Sequence, residues 1–169
     1  MVELDEDNTA WRRAMRREMV ARRGALSDAE HARLSSDIVG HLLAALPCPK
    51  IVAFCWPIKH EPDVRSAIPQ WAAHGALAAL PVVVEEEQPL AFRHWARDTP
   101  LAPDRYGIPT PTAGEWMMPD MILLPLNGFD GDGDRLGYGA GSFDRTLAAV
   151  CPRPLLPRHT PRSAIITNH

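Results

Sequence analysis

The chain predicts an α/β domain of three layers, with a mostly parallel sheet flanked by helices. Three observations predict it. Short apolar runs of strand length recur at residues 50–56, 76–84 and 121–126, and helical patterns precede or separate them at 9–23, 27–46 and 62–74. Residues 119–147, PDMILLPLNGFDGDGDRLGYGAGSFDRTL, pass from an apolar strand through a glycine-rich segment into a helix-like run from about Phe143. That order aims backbone N–H groups and a helix N-terminus at an anion. The seventeen prolines fall mostly between apolar runs, which implies short, defined connections; 169 residues without a linker suit one domain over 1–169.

Residues 1–8 are acidic and expected to fray. Over 9–23 the pattern is helical, with Trp11, Met15 and Met19 four apart on one face. Arg12, Arg13, Arg16, Arg17, Arg22 and Arg23 fill the rest, most simply as a solvated basic face. Ser27-Asp28-Ala29-Glu30 reads as a capping box that opens a second helix. Leu34, Ile38, Leu42 and Leu46 form its core stripe, and Pro47 closes it. KIVAFCW, 50–56, reads as a buried strand followed by a loop through Glu61. Pro62 suits the first turn of a third helix reaching about His74. Glu61 would then stand at a strand-to-helix junction, where open α/β sheets place ligands. The ordinary alternative is a helix N-terminal carboxylate favoured by the dipole. Residues 76–84 form the next strand, interrupted at Pro81; 85–87 are a charged, solvated turn; 90–95 alternate as an edge or hairpin strand.

Composition narrows the function classes. A net charge of −3 and a pI near 6.1 argue against a general polyanion binder, and the arginine-rich helix lacks the interleaved aromatics of a nucleic-acid footprint. There is no signal peptide and no run of membrane-spanning length, so no membrane partner and a cytoplasmic location are expected. Cys48, Cys55 and Cys151 are odd in number and lack C-x-x-C spacing, which suits inert thiols rather than zinc. The seven histidines show no metal-ligand spacing.

The glycine loop carries the chemistry. Gly137, Gly139 and Gly141 permit sharp turns and close approach to an anion, Arg135 sets a cationic fork at the loop mouth, and Asp144 offers a carboxylate to a cation. Three named loops fail on the letters. Gly141-Ser142 has no lysine before the hydroxyl, which excludes a Walker A loop. The run from Gly139 ends in Asp144 where a Rossmann fingerprint needs glycine. An EF-hand starting at Asp130 matches Asp132 and Asp134, then meets Arg135 where glycine and Gly141 where glutamate are required.

FDGDGDRLGYGAGSFDR resembles the signature of the 5-formyltetrahydrofolate cyclo-ligases, FD-x-x-G-x-RLG-x-G-x-G-x-[YF]-DR, without a gap. Further segments resemble the same family: RRAMR at 12–16 for its K-x-x-L-R motif, ALSDAE before the second helix, FCWPIKHEPDVR around Glu61, and YGIPTP at 106–111 for FGI-x-EP. The resemblance implies a Rossmann-like, NagB/RpiA/CoA-transferase-like three-layer sandwich. It also implies conversion of 5-formyltetrahydrofolate to 5,10-methenyltetrahydrofolate with ATP and Mg²⁺, releasing ADP and phosphate. Carried over residue by residue, Arg135 and Arg16 are the catalytic cations. Arg12, Arg13, Arg16, Arg135, Leu136, Gly137, Tyr138, Gly139, Ala140, Gly141, Ser142 and Phe143 bind ATP. Trp56, Glu61 and Tyr138 bind the folate, and Asp144 holds the metal. Trp95 and Tyr106 suit core packing as well as a folate pocket. The expected partner is this small-molecule substrate, and the expected state is a monomer.

Departures fall at Arg12 for Lys, Met15 for Leu, Val64 for Thr and Thr110 for Glu. The stretch 150–169 is shorter than the family's by about one strand and an Asp-bearing loop that supplies a second Mg²⁺ contact. Residues 164–167 resemble the family's last strand, and 157–159 a remnant of that loop. Two other readings stay open on the letters: a non-catalytic nucleotide- or folate-binding relative, and a sugar-phosphate isomerase-like enzyme using the loop for a phosphomonoester. A shortened chain that folds poorly is a third.

Overall fold

A computed structural model describes residues 2–129, 135–150 and 162–166, with side chains over 8–129 and 135–150. In chain order the first half holds α1 (Val2–Gly24), α2 (Asp28–Ala45), β1 (Ile51–Phe54), α3 (Ala67–Ala72), β2 (Leu77–Val82) and β3 (Ala91–Trp95). The second half holds β4 (Leu101–Pro103), β5 (Pro109–Pro111), β6 (Trp116–Met117), β7 (Met121–Pro125), β8 (Gly128–Phe129), β9 (Arg135–Leu136), α4 (Ser142–Val150) and β10 (Arg162–Ile166).

One six-stranded sheet runs β10-β7-β1-β2-β3-β6. Its first four strands are parallel, and β3 and β6 close one edge antiparallel. The expected mostly parallel sheet between helices is what forms. Successive strand residues point to opposite faces, and here that alternation divides the core in two. Val52, Phe54, Ala78, Leu80, Met121 and Leu123 face Val39 and Leu42 of α2 and Ala67, Ile68 and Trp71 of α3. Ala53, Ala79, Ile122 and Leu124 face the other way, toward Phe143, Leu147 and Val150 of α4. An apolar side chain on either side of every central strand explains why these runs read as continuous rather than alternating.

Local signals hold where they close on themselves. The Ser27 side chain accepts the Glu30 N–H while the Glu30 carboxylate accepts the Ser27 N–H, so two of the orphan donors that open α2 are satisfied reciprocally. Ser27→Ala should cost about 1 kcal/mol, visible as a lower denaturant midpoint at unchanged slope. Pro81 lies within β2 rather than breaking it. It pairs with Phe92 beyond the last residue that β1 covers, where β2 has a neighbour on one side only.

Four expectations need correction. Helix α1 begins at Val2 rather than about Thr9. Its arginines are not all a solvated face: Arg23 is 7% exposed, whereas Trp11 on the apolar face is 58% exposed. The third helix starts at Ala67, not Pro62, because Asp63 forms its own turn: its carboxylate accepts the Arg65 N–H and guanidinium, and its N–H donates to Ser35 Oγ on α2. The glycine segment is no plain loop, since β8 and β9 pair as a short antiparallel ribbon inside it. Strand β10 lies along β7 over all five residues, which places 164–166 as expected; Asp130, Asp132 and Asp134, the segment 157–159 and Thr167 lie outside the described residues.

Candidate functional site

Parallel strands that lead to opposite sides leave a crevice at their carboxyl ends. Here β1 connects through α3 to β2 on one side, and its other neighbour is β7. The segment after β1 carries Glu61, and the segment after β7 carries residues 135–141. They meet above the sheet.

Residues 58–61 turn back sharply. Lys59 and His60 both have positive φ, 49° and 56°, and the Glu61 N–H closes the turn on the Ile58 carbonyl at 2.9 Å. Two successive non-glycine residues in this region cost about 1 kcal/mol or more each. Neighbouring contacts hold the turn in place. The Glu61 carboxylate folds over it and accepts the Ile58 N–H at 3.0 Å, Arg23 Nε donates to the Lys59 carbonyl at 3.0 Å, and His31 Nε2 donates to the Glu61 carbonyl at 2.7 Å.

Glu61 is 3% exposed, and its other oxygen accepts the Tyr138 hydroxyl at 2.5 Å. Tyr138 in turn accepts from Arg23 Nη2 at 2.7 Å, and the Lys59 ammonium lies 5.6 Å from its ring centre. Burial pushes the Glu61 carboxyl above its ordinary range, while the Tyr138 and Ile58 hydrogen bonds and the charges of Arg23 and Lys59 pull it back. Burial and the adjacent Glu61 raise the Tyr138 phenol, so it stays a neutral donor. Burial, and then the Glu61 charge, likewise raise the Cys55 thiol and keep it unreactive.

The glycine loop rests on α1. Arg16 Nε donates to the Gly137 carbonyl at 2.8 Å, and the guanidinium passes so close to Gly139 that a Cβ there would sit 3.2 Å from it. Gly139 and Gly141 have φ of +96° and +68°, conformations that side-chain-bearing residues rarely adopt. Gly137 differs: its φ is not positive, and a Cβ would meet open space. Leu136 gives its carbonyl to the Asn127 N–H, Ala140 gives its carbonyl to Arg145 Nη2, Ser142 opens α4, and Phe143 packs into the second core. Arg135 reaches Asp144 at 3.5 Å, and the Asp144 side chain is 82% exposed.

Most of the expected residues therefore converge, with three exceptions. Arg12 and Arg13 lie exposed on α1, and neither has a hydrogen bond or ion pair among the described residues. Trp56 is half-buried, and the Arg65 guanidinium already covers one face of its indole at 4.6 Å. Trp56 instead lines a cleft of about 850 Å³ with Asp63, Arg65, His94, Trp95 and Arg97. Sequence reasoning missed Arg23, which looked like any other arginine of α1, and Arg145. Arg145 Nε and Asn127 Oδ1 are buried without a hydrogen-bond partner among the described residues, one donor and one acceptor beside the loop. Buried polar atoms of this kind call for a partner.

Residues 8–166 match the sequence profile of the 5-formyltetrahydrofolate cyclo-ligase family. The chain belongs to that family. The 5-formyltetrahydrofolate cyclo-ligase of Mycoplasma pneumoniae is 29% identical over 137 residues, covering 79% of this chain and 75% of that protein. The Haemophilus influenzae cyclo-ligase is 27% identical over 148 residues, covering 83% and 79%. Among solved structures, the 5,10-methenyltetrahydrofolate synthetase of Aquifex aeolicus superposes with a TM-score of 0.67 at 29% identity, over 80% of this chain and 71% of that one. The Mycoplasma pneumoniae synthetase gives 0.67 at 27% identity, over 84% and 80%. In this cyclo-ligase family member the glycine loop and the Glu61 turn thus come together on the family's fold. No helix among the described residues is long and apolar enough to cross a membrane.

Proposed function

We propose that this chain is an ATP-dependent 5-formyltetrahydrofolate cyclo-ligase, with the phosphates over the 137–141 loop and the reduced pterin at Glu61. The observation that carries the reading is the direct contact between the two halves of the site, Tyr138 of the loop on Glu61 of the β1 turn. An ionised carboxylate has about four lone-pair sites. Tyr138 and the Ile58 N–H take one on each oxygen, which leaves one on each for a pair of pterin N–H groups. Because Glu61 is 3% exposed, the ring reaches it when the loop carrying Tyr138 lifts, and the loop then closes over the bound ring. The cleft beside Trp56 and Trp95 is suited to the aromatic remainder of the substrate.

The chemical difficulty is a formyl oxygen that leaves poorly. Its attack on the γ-phosphoryl group of ATP forms an O–P bond and releases ADP. N10 then closes on the activated carbon, and the oxygen departs as phosphate. The chain's part is to hold the two oxygens in line and neutralise spreading charge. Arg16 and Arg135 are the cations nearest the loop, and Arg145 has an unused donor there. The residues fit a triphosphate: two glycines at positive φ that a side chain would fill, beside an orphaned buried donor. For Mg²⁺ the fit is a single exposed carboxylate, Asp144, and among the described residues no group of three or more potential ligands forms. That suits an ion held largely by water and phosphate oxygens, whose chemistry is to offset their charge.

The test is to mix the protein with 5-formyltetrahydrofolate and MgATP and follow methenyltetrahydrofolate absorbance. An ATP-dependent rise is expected, and no rise from folded protein would overturn the assignment. Arg135→Ala should raise KM for ATP by about 10-fold or more, the loss of one charge-assisted contact, with little change in KM for the folate. Equal effects on both substrates would count against the placement.

A further inference from the structure

We infer that Arg23 is a positioning residue for the Glu61 carboxylate that anchors the folate: it locks Tyr138 onto Glu61 and so sets the closed position of the glycine loop. This rests on the reading of Glu61 as the folate anchor. Arg23 is the buried arginine of α1, and its guanidinium bridges two chain segments at once, through Nε to the Lys59 carbonyl and through Nη2 to the Tyr138 hydroxyl. A guanidinium only donates, so the Tyr138 oxygen must accept from it. The phenolic hydrogen is then left to point at Glu61 Oε1, 2.5 Å away. Arg23 thereby fixes the place of the hydroxyl oxygen and leaves its hydrogen to Glu61. Arg16, seven residues earlier and two turns along the same helix, holds the Gly137 carbonyl, so α1 grips the loop at two successive residues.

The same arrangement opposes burial, which pushes the Glu61 carboxyl above its ordinary range. The groups facing it are Arg23 from α1, His31 of α2 on its carbonyl, Lys59 and His60 within its own turn, Cys55 beyond β1, and Tyr138 from the loop. Cys55 is neutral, and Tyr138 is neutral and donating. Arg23 and Lys59 are the cations among these groups that pull the carboxyl toward ionisation. Lys59 stands over the Tyr138 ring, whereas Arg23 is buried. Lysine at position 23 would keep the charge but could not bridge both acceptors with a planar fork.

Arg23→Gln and Arg23→Lys test this in the intact chain. In Arg23→Gln, KM for 5-formyltetrahydrofolate should rise about 10-fold or more, as for one charge-assisted hydrogen bond lost, while KM for MgATP stays within about two-fold. The acidic limb of kcat/KM should move to higher pH, because Glu61 then protonates more readily. Arg23→Lys should return the limb toward its original position and recover KM only in part. A readout without substrate comes from the tyrosines, of which the chain has two. With ¹³C-labelled tyrosine, the ring signal assigned by Tyr138→Phe should shift in Arg23→Gln, and that of Tyr106, 65% exposed, should not. An unmoved Tyr138 signal, an unmoved acidic limb, or equal losses for both substrates would overturn the inference. Should Arg23→Gln fail to fold, a folate KM in Arg23→Lys raised above the parent's at unchanged KM for MgATP decides alone, and an unchanged folate KM overturns the inference. If the parent protein turns over no folate while the Tyr138 signal still shifts, the assignment of the substrate has failed and the lock has not.

Discussion

Glu61→Gln is expected to lower kcat/KM for 5-formyltetrahydrofolate by about 10²–10³-fold, the loss of two hydrogen bonds to a buried charge, and to leave KM for MgATP nearly unchanged. The amide replaces one acceptor oxygen with a donor. It must either face the Tyr138 hydroxyl, which Arg23 has oriented to donate, or face the Ile58 N–H; each choice sets donor against donor. The pterin edge meets the same conflict. Steady-state kinetics in each substrate checks this, and a loss shared equally between the two substrates would remove Glu61 from the folate side. A pH dependence goes with it. Burial holds the Glu61 carboxyl above its ordinary range in the folded chain. The sign follows: the stability it contributes is complete below the ordinary glutamate range and is lost as pH rises through the raised folded value. Glutamine has no such loss. The melting temperature of Glu61→Gln relative to the parent should therefore climb across that window and be flat on either side of it.

Phe54→Ala should destabilise the fold by about 3–5 kcal/mol, a large part of a typical ~5–15 kcal/mol. Phe54 is fully buried at the end of β1 and stands edge-on to Trp95, ring centres 5.3 Å apart. Its removal takes away the apolar contact and leaves a cavity between sheet and helices that the rigid central strand cannot close. For a chain of this size the melting temperature should fall by about 6–20 °C. The site should suffer too, because Trp56, two residues on, meets the same Trp95 at 6.3 Å and lines the cleft. A denaturant midpoint lowered at unchanged slope would agree, and a loss under about 1 kcal/mol would show that the strand repacks.

Features whose causes lie within a few residues were legible in the letters. The Ser27–Glu30 box, the strands at 51–54 and 121–125, the exposed turn at 85–87 and the glycine signature each rest on local geometry or on apolar runs too long to leave in water. The family's motif carried the other proposed site residues, from Arg16 to Asp144. What escaped depends on partners far along the chain. Six arginines on α1 look alike as letters; Arg23 alone of them is buried, because Tyr138 and the Lys59 carbonyl stand opposite it, 115 and 36 residues away. The pattern of Trp11, Met15 and Met19 is as apolar as many core stripes, yet Trp11 stays 58% exposed while Arg16 and Arg23 of the same helix reach the site.

The start of α3 shows the same division. Pro62 is a good first-turn residue, but Asp63 is captured by Ser35 of α2 and by Arg65, and the turn this makes delays the helix to Ala67. Sequence alone therefore determined the main strands of the sheet and the helices that flank them, that the sheet is buried on both faces, and that a glycine loop follows β7, but not the short strands β4–β6 or the β8–β9 ribbon. Tertiary structure decided which charges are buried, which aromatic faces are covered and where Glu61 points. Local propensity is set by neighbours a few residues away, whereas the burial of a charge is set by whatever the folded chain places against it.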